Sequence, residues 1–186
     1  MSFLPNGFSQ DVSREIETRN YDRPAGVTLL ALLFGIGGAA GLLFQLANFN
    51  NLNNIDPELG ISSTLLQISL AIIGLTGVGA AVGMWMGKKW GWWLALFYAA
   101  YAVCRNGYAL ITLYITFRDI PEAADQLGSY YFKYGWRVLW NGFLLVYLCR
   151  ESVGLYFKNE TTNKWLALAK VFGISILIYA VMSAVQ

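Results

Sequence analysis

Five stretches of this chain stay apolar for the length of a bilayer crossing, and that feature limits the folds open to it more than any other. A hydrocarbon slab about 30 Å thick takes roughly 20 residues of helix at about 1.5 Å each. The stretches run from about Ala25 to Ala47, Thr64 to Met86, Trp92 to Phe117, Tyr134 to Cys149 with helical continuation to Phe157, and Trp165 to Val185. Lys170 interrupts the last, near enough to one end to snorkel. The apolar residues form unbroken runs instead of an amphipathic period. The expected fold is therefore all-α, a polytopic transmembrane helix bundle of about five helices with short loops. Residues 24–186 form that domain, behind a cytoplasmic segment, residues 1–23.

Composition agrees and narrows the chemistry. Only 13% of the residues are charged, against roughly a quarter in a soluble domain. A net charge of +2, with basic residues scattered along the chain, gives no footprint for nucleic acid. There is no histidine, which removes histidine-ligated haem, the common zinc sites and histidine acid–base chemistry. Cys104 and Cys149, the only two cysteines, fall in apolar segments and read as small buried hydrophobes. No serine has a visible base, and no acidic or thiol cluster has ligand spacing. The expectation is no catalytic residue, no metal site and no cofactor of the chain's own, leaving room for a bound lipid or a cofactor held by a partner.

Lys and Arg gather on the cytoplasmic side of membrane proteins. Here they occur as Arg14, Arg19 and Arg23 before the first run, Lys88 and Lys89 after the second, and Arg150, Lys158 and Lys164 between the fourth and fifth. The loop around Asp119, Glu122 and Asp125 is acidic on balance, with Arg118 and Lys133 as exceptions. The alternation predicts the N-terminus in the cytoplasm and the C-terminus outside. Trp85, Trp90, Trp92, Trp93, Trp136 and Trp165 then read as interfacial anchors. The segment between Ser9 and Arg19 reads as a short interfacial helix, with Ser9 or Asp11 as its cap. The loop from Asn48 to Gly60 reads as irregular. Asn159-Glu-Thr161 matches a glycosylation acceptor but lies on the cytoplasmic side of this topology.

Arg105, with Asn106 beside it, is the sharpest feature. A guanidinium costs from about 3 to over 10 kcal/mol at the centre of a bilayer, so it faces protein, water or a partner. At helical spacing it shares a stripe with Tyr98, Tyr101, Tyr108 and Thr112. In the fourth run Arg137 and Asn141 stand one turn apart. Two readings remain open. In one, Arg105, Asn106, Tyr101, Tyr108, Arg137 and Asn141 converge on a water-accessible pocket for an anionic group such as a lipid phosphate or a carboxylate. In the other, Arg105 pairs with an outer carboxylate such as Asp119 or Asp56, and the tyrosines link packed helices.

Glycine spacing is the second feature: Gly37 and Gly41 in the first run, then Gly79, Gly83 and Gly87 in the second. Small residues four apart let helix backbones approach closely. They predict packing of the first two helices against each other, or docking to another subunit or a second copy.

Three segments also resemble a known group. Arg23-Pro24-Ala25-Gly26-Val27-Thr28, Gly87-Lys88-Lys89-Trp90-Gly91-Trp92-Trp93 and Tyr147-Leu148-Cys149-Arg150-Glu151-Ser152-Val153 with Tyr156-Phe157 resemble a loose group of small, mostly uncharacterised four-helix bacterial integral membrane proteins. The resemblance covers Arg23 to Phe157 and implies the bacterial cytoplasmic (inner) membrane. A fifth helix and Arg105 depart from the group's pattern. The expected role is a non-catalytic accessory or scaffolding subunit of a membrane complex, in contact with lipids and with other subunits or copies of itself. The alternative is a small oligomeric transporter or channel that passes an anion or lipid along the Arg105/Arg137 face.

Overall fold

The computed structural model describes residues 23–48, 63–117, 124–159 and 161–184. Among them the regular structure is entirely helical. The helices are α1 (Ala25–Ala47), α2 (Ser63–Trp85), α3 (Lys89–Phe117), α4 (Ala124–Leu148), α5 (Glu151–Tyr156) and α6 (Lys164–Ala184). The expected N-terminal interfacial helix, the loop from Asn48 to Gly60 beyond Asn48 itself, and both Asp56 and Asp119 lie outside the described residues.

By length and composition, α1 and α3 are long and apolar enough to cross a membrane, and α2 contains a shorter apolar stretch, Leu70–Trp85. Only 28% of the apolar window of each of α1 and α3 is buried. The core helix of a soluble protein would be mostly covered, whereas here large apolar side chains such as Leu29, Ile36, Leu43, Ile72, Ile111, Phe143 and Ile176 stand exposed. Scattered exposed hydrophobics are ordinary, but apolar exposure on every long helix is not.

Helix α3 is the central element, packed against α2, α4 and α6, while α1 lies along α2. The α1–α2 seam closes where Gly38 meets Gly74 and Gly77: a Cβ on Gly38 would stand 2.8 Å from the Gly74 carbonyl oxygen. The α2–α3 seam closes where Gly83 lies directly on the backbone of Gly91.

The predicted glycine ridges are thus redistributed. Gly79 and Gly83 face α3 through Leu94 and Gly91, and a Cβ on Gly37 or Gly41 would meet nothing within 4 Å. Gly87 lies beyond α2 altogether. It adopts a left-handed φ of 62°, with its N–H donating to the Met84 carbonyl at 3.2 Å and the Lys88 N–H to Gly83 at 3.0 Å. This Schellman turn ends α2 and turns the chain into α3. Spacing alone gives the same signal for a ridge glycine and a cap glycine.

Helix α4 begins at Ala124, earlier than the apolar run that starts at Tyr134. Hydropathy marks what can lie in hydrocarbon, while helix extends into residues that cannot. At its other end the helix does not continue unbroken to Phe157. Arg150 is extended, at φ −63° and ψ 149°, and α5 starts afresh with Glu151 in its first turn, where a carboxylate suits the positive end of the helix dipole. A second Schellman turn closes α5. The Lys158 N–H donates to Leu155 at 3.0 Å and the Asn159 N–H to Gly154 at 2.9 Å, with Lys158 at φ 52°. Asn163 then caps α6, its Oδ1 accepting from the Trp165 N–H at 3.1 Å.

Burial is uneven along the bundle. The buried residues of α3 lie between Gly91 and Asn106, and those of α1 between Val27 and Gly38. Trp92, Phe157, Met84, Leu96, Leu148, Val27 and Val153 are all fully buried. They cluster at the end where α1 begins, α2 turns into α3 and α4 ends. Toward the opposite end Leu43, Leu46, Ile111, Tyr114, Ile115 and Phe132 are exposed. Among the described residues the bundle is closed at one end and open at the other.

Candidate functional site

Between the closed and open parts lies a cavity of about 240 Å³. Helix α3 contributes Tyr98, Tyr101, Ala102, Arg105 and Asn106, α4 contributes Arg137 and Asn141, and α2 contributes Ile73. Two guanidinium cations therefore share one hollow, with no carboxylate among the described residues that line it. Arginine carries five donors and no acceptor, in a fork that matches the oxygens of a phosphate or carboxylate. Neither cation forms an ion pair among the described residues. Arg137 stands 6.0 Å over the Tyr134 ring, at the outer limit of a cation–π contact.

The two asparagines are held by their own helices. Asn106 Nδ2 donates to the Ala102 carbonyl at 2.6 Å and Asn141 Nδ2 to the Arg137 carbonyl at 2.7 Å. Each amide spends a donor on the preceding turn and keeps its Oδ1 as an acceptor. Asn106 is buried, at 8% exposure. The wall thus combines amide groups, tyrosines and two cations, a set suited to binding an anion.

Of the residues singled out from sequence, Tyr101, Arg105, Asn106, Arg137 and Asn141 meet here. Tyr108 does not: it is 57% exposed and lies outside the cavity lining. A stripe identifies residues that share a helix face but not how far along that face a neighbouring helix reaches. Ile73 and Ala102 gave no signal, since apolar walls look alike in sequence. Tyr98 belongs to the Arg105 stripe and also makes an edge-on contact with Phe34 of α1, at 5.0 Å between ring centres.

A second polar cluster holds the closed end together. Arg23 Nη2 donates to the Trp85 carbonyl at 2.5 Å and Nε to the Tyr156 hydroxyl at 3.0 Å. Its guanidinium lies 4.5 Å over the Trp85 ring. The Tyr156 hydroxyl donates to the Met84 carbonyl at 3.1 Å, and Trp92 Nε1 donates to the Leu148 carbonyl at 2.9 Å. Tyr147 lies with its hydroxyl directly against Gly26, so a side chain at that position would displace the Tyr147 ring.

Residues from the segments 23–28, 84–92 and 147–156 are thus gathered into one clasp. The expectation of interfacial anchors needs a correction at Trp92, which is 1% exposed and belongs to the core, whereas Trp165 and Trp136 are 81% and 59% exposed. Asn159 of the glycosylation-like motif is 3% exposed, with its side-chain oxygen accepting from the Thr162 hydroxyl.

Among the described residues no group of three or more histidine, cysteine or acidic side chains is placed to hold a metal ion. No family model, curated protein or solved structure matches this chain, so the two-arginine cavity is interpreted from its own geometry.

Proposed function

We propose that the chain is a five-span protein of the bacterial cytoplasmic membrane that performs no catalysis itself and holds an anionic group between Arg105 and Arg137. The observation that carries the reading is the single cavity lined by both cations with no acidic neighbour among its described walls. Both arginines are exposed on the protein and line one hollow; within a bilayer two such cations are costly, and a bound anion offsets that cost. The five-span topology draws on the apolar exposure of the helices and on the basic residues at the closed end. Arg23, Lys88, Arg150 and Lys164 flank the helix ends that meet there, as a cytoplasmic face requires.

A second reading, in which the chain is an accessory subunit, is favoured by one separate observation. Gly37 and Gly41 stand exposed on α1 with nothing upon them, which suits a partner helix. The two readings are compatible, since a subunit can present a bound anionic ligand to its complex.

Inorganic phosphate is the probe for the anion reading, titrated at constant ionic strength against protein in a neutral detergent and followed by tryptophan fluorescence. The expected result is saturable binding, weakened about tenfold or more by R105Q and by R137Q, the loss of one charge-assisted contact. Binding that is absent, or indifferent to both substitutions, overturns the reading. Topology is tested by fusing alkaline phosphatase after Gln186 in a bacterial host. Activity outside the cytoplasm is expected, and an inactive cytoplasmic fusion refutes five spans.

A further inference from the structure

The two-arginine cavity does not stand alone. A second cavity, of about 290 Å³, is lined by Leu30, Leu33 and Phe34 of α1, Tyr98 of α3, and Trp140, Asn141 and Leu144 of α4. Tyr98 and Asn141 line both. One hollow is cationic, its neighbour is almost wholly apolar, and two residues form the joint between them.

The pair also has a direction. Along α4, Arg137, Asn141 and Leu144 follow one another toward Leu148, spanning about 10 Å at 1.5 Å per residue. Along α3 the order of Arg105, Tyr101 and Tyr98 leads toward Lys89, and the α1 residues lie in the half of that helix that begins at the closed end. On α3 and α4, the two helices that line both hollows, the polar part is nearer the open end and the apolar part nearer the closed end. Arg105 sits about 18 Å from the Phe117 end of α3 and about 24 Å from the Lys89 end. With the closed end cytoplasmic, Arg105 lies about 3 Å to the outer side of the middle of α3, and the apolar hollow lies on its cytoplasmic side. A phospholipid that descends from the outer side, headgroup above chain, has the same polarity along the same axis.

We infer that the bound anion is the headgroup of an anionic phospholipid held near mid-depth, with one acyl chain lying in the hollow between α1 and α4. The inference rests on the anion reading above and adds the source of the anion. Charge complementarity selects the headgroup. The chain hollow adds little affinity, because moving an acyl chain from bilayer to an apolar wall gains no hydrophobic free energy. It fixes the pose instead. Leu33 and Trp140 are 47% and 46% exposed, so the hollow is open at its side and a lipid enters laterally.

Trp140 supplies the test, since bromine on an acyl chain quenches a tryptophan in contact with it. Protein is placed in vesicles containing the same mole fraction of mid-chain brominated phosphatidylglycerol or brominated phosphatidylcholine. The signal of Trp140 is the difference between the native chain and W140F. Quenching of that signal is expected at about tenfold lower mole fraction of the anionic lipid, a preference lost in R105Q and R137Q and partly kept in R105K. L33W, which fills the hollow from an exposed position, removes the preference, whereas L29W on a neighbouring exposed position leaves it.

Equal quenching by the two lipids while phosphate still binds overturns the lipid assignment and leaves the anion site standing. Equal quenching with no phosphate binding removes both. Preferential quenching that survives R105Q and R137Q places the lipid elsewhere on the surface and also overturns the inference.

Discussion

Replacing Gly91 by alanine separates two kinds of glycine that sequence spacing cannot tell apart. The new methyl group would lie on the backbone of Gly83 and 2.6 Å from the Met84 nitrogen. These are main-chain atoms inside a helix, so no side chain can swing away and α2 and α3 must separate. Ordinary contact begins near 3.5 Å, which sets the separation at about 1 Å. A gap of that size forfeits about a quarter to a half of the dispersion attraction along the seam. The expected cost is about 3 kcal/mol, the upper range for overpacking.

Gly37 provides the contrast, because the same methyl there meets nothing and gains up to about 1 kcal/mol of helix propensity. At about 2–4 °C per kcal/mol for a chain of this size, G91A lowers the unfolding midpoint by about 6–12 °C. G37A raises it by about 2–4 °C or leaves it in place. The partly buried thiols of Cys104 and Cys149 report unfolding through a thiol-reactive dye during a thermal ramp in mild detergent. If G91A leaves the midpoint unchanged, or G37A costs as much as G91A, the helix seams are wrongly drawn.

Other substitutions test the clasp and the turns in the same thermal assay. W92F removes the indole donor from the Leu148 carbonyl and leaves it unpaired in a fully buried setting, an expected loss of about 2 kcal/mol; no loss would show that water reaches that carbonyl. R23A removes two hydrogen bonds and a ring contact at a partly exposed site, with an expected loss of about 1–2 kcal/mol, and R23K recovers only a part because it lacks the planar fork. K158G relieves a left-handed residue that carries a Cβ and is expected to stabilise by about 1 kcal/mol; a lower midpoint would mean that the lysine side chain contributes more than the backbone strain costs.

Much of this architecture was legible because long helices that expose apolar side chains leave long apolar runs in the sequence. The apolar runs located each long helix, and the first run coincides with α1 from Ala25 to Ala47. Helix ends were less legible. The start of α4 at Ala124 lies among polar residues, and the break at Arg150 depends on backbone angles that no composition window registers. The candidate site was legible in its chemistry, since an arginine in an apolar run demands a partner. Its extent was not, as the exposed Tyr108 shows, because that depends on where α2 and α4 approach α3. The clasp was legible only as motifs. Arg23, Trp85 and Tyr156 are far apart in sequence, and their mutual hydrogen bonds require the folded chain.

The central claim is that Arg105 and Arg137, on different helices, serve one anion. A double-mutant cycle on phosphate affinity tests it most directly, comparing R105Q, R137Q and the double variant with the native chain. Two cations on one ligand are energetically coupled, so the double variant should lose about threefold or more less affinity than the product of the two single losses. Single losses that simply multiply, or a double variant that binds phosphate as the native chain does, would contradict the shared site.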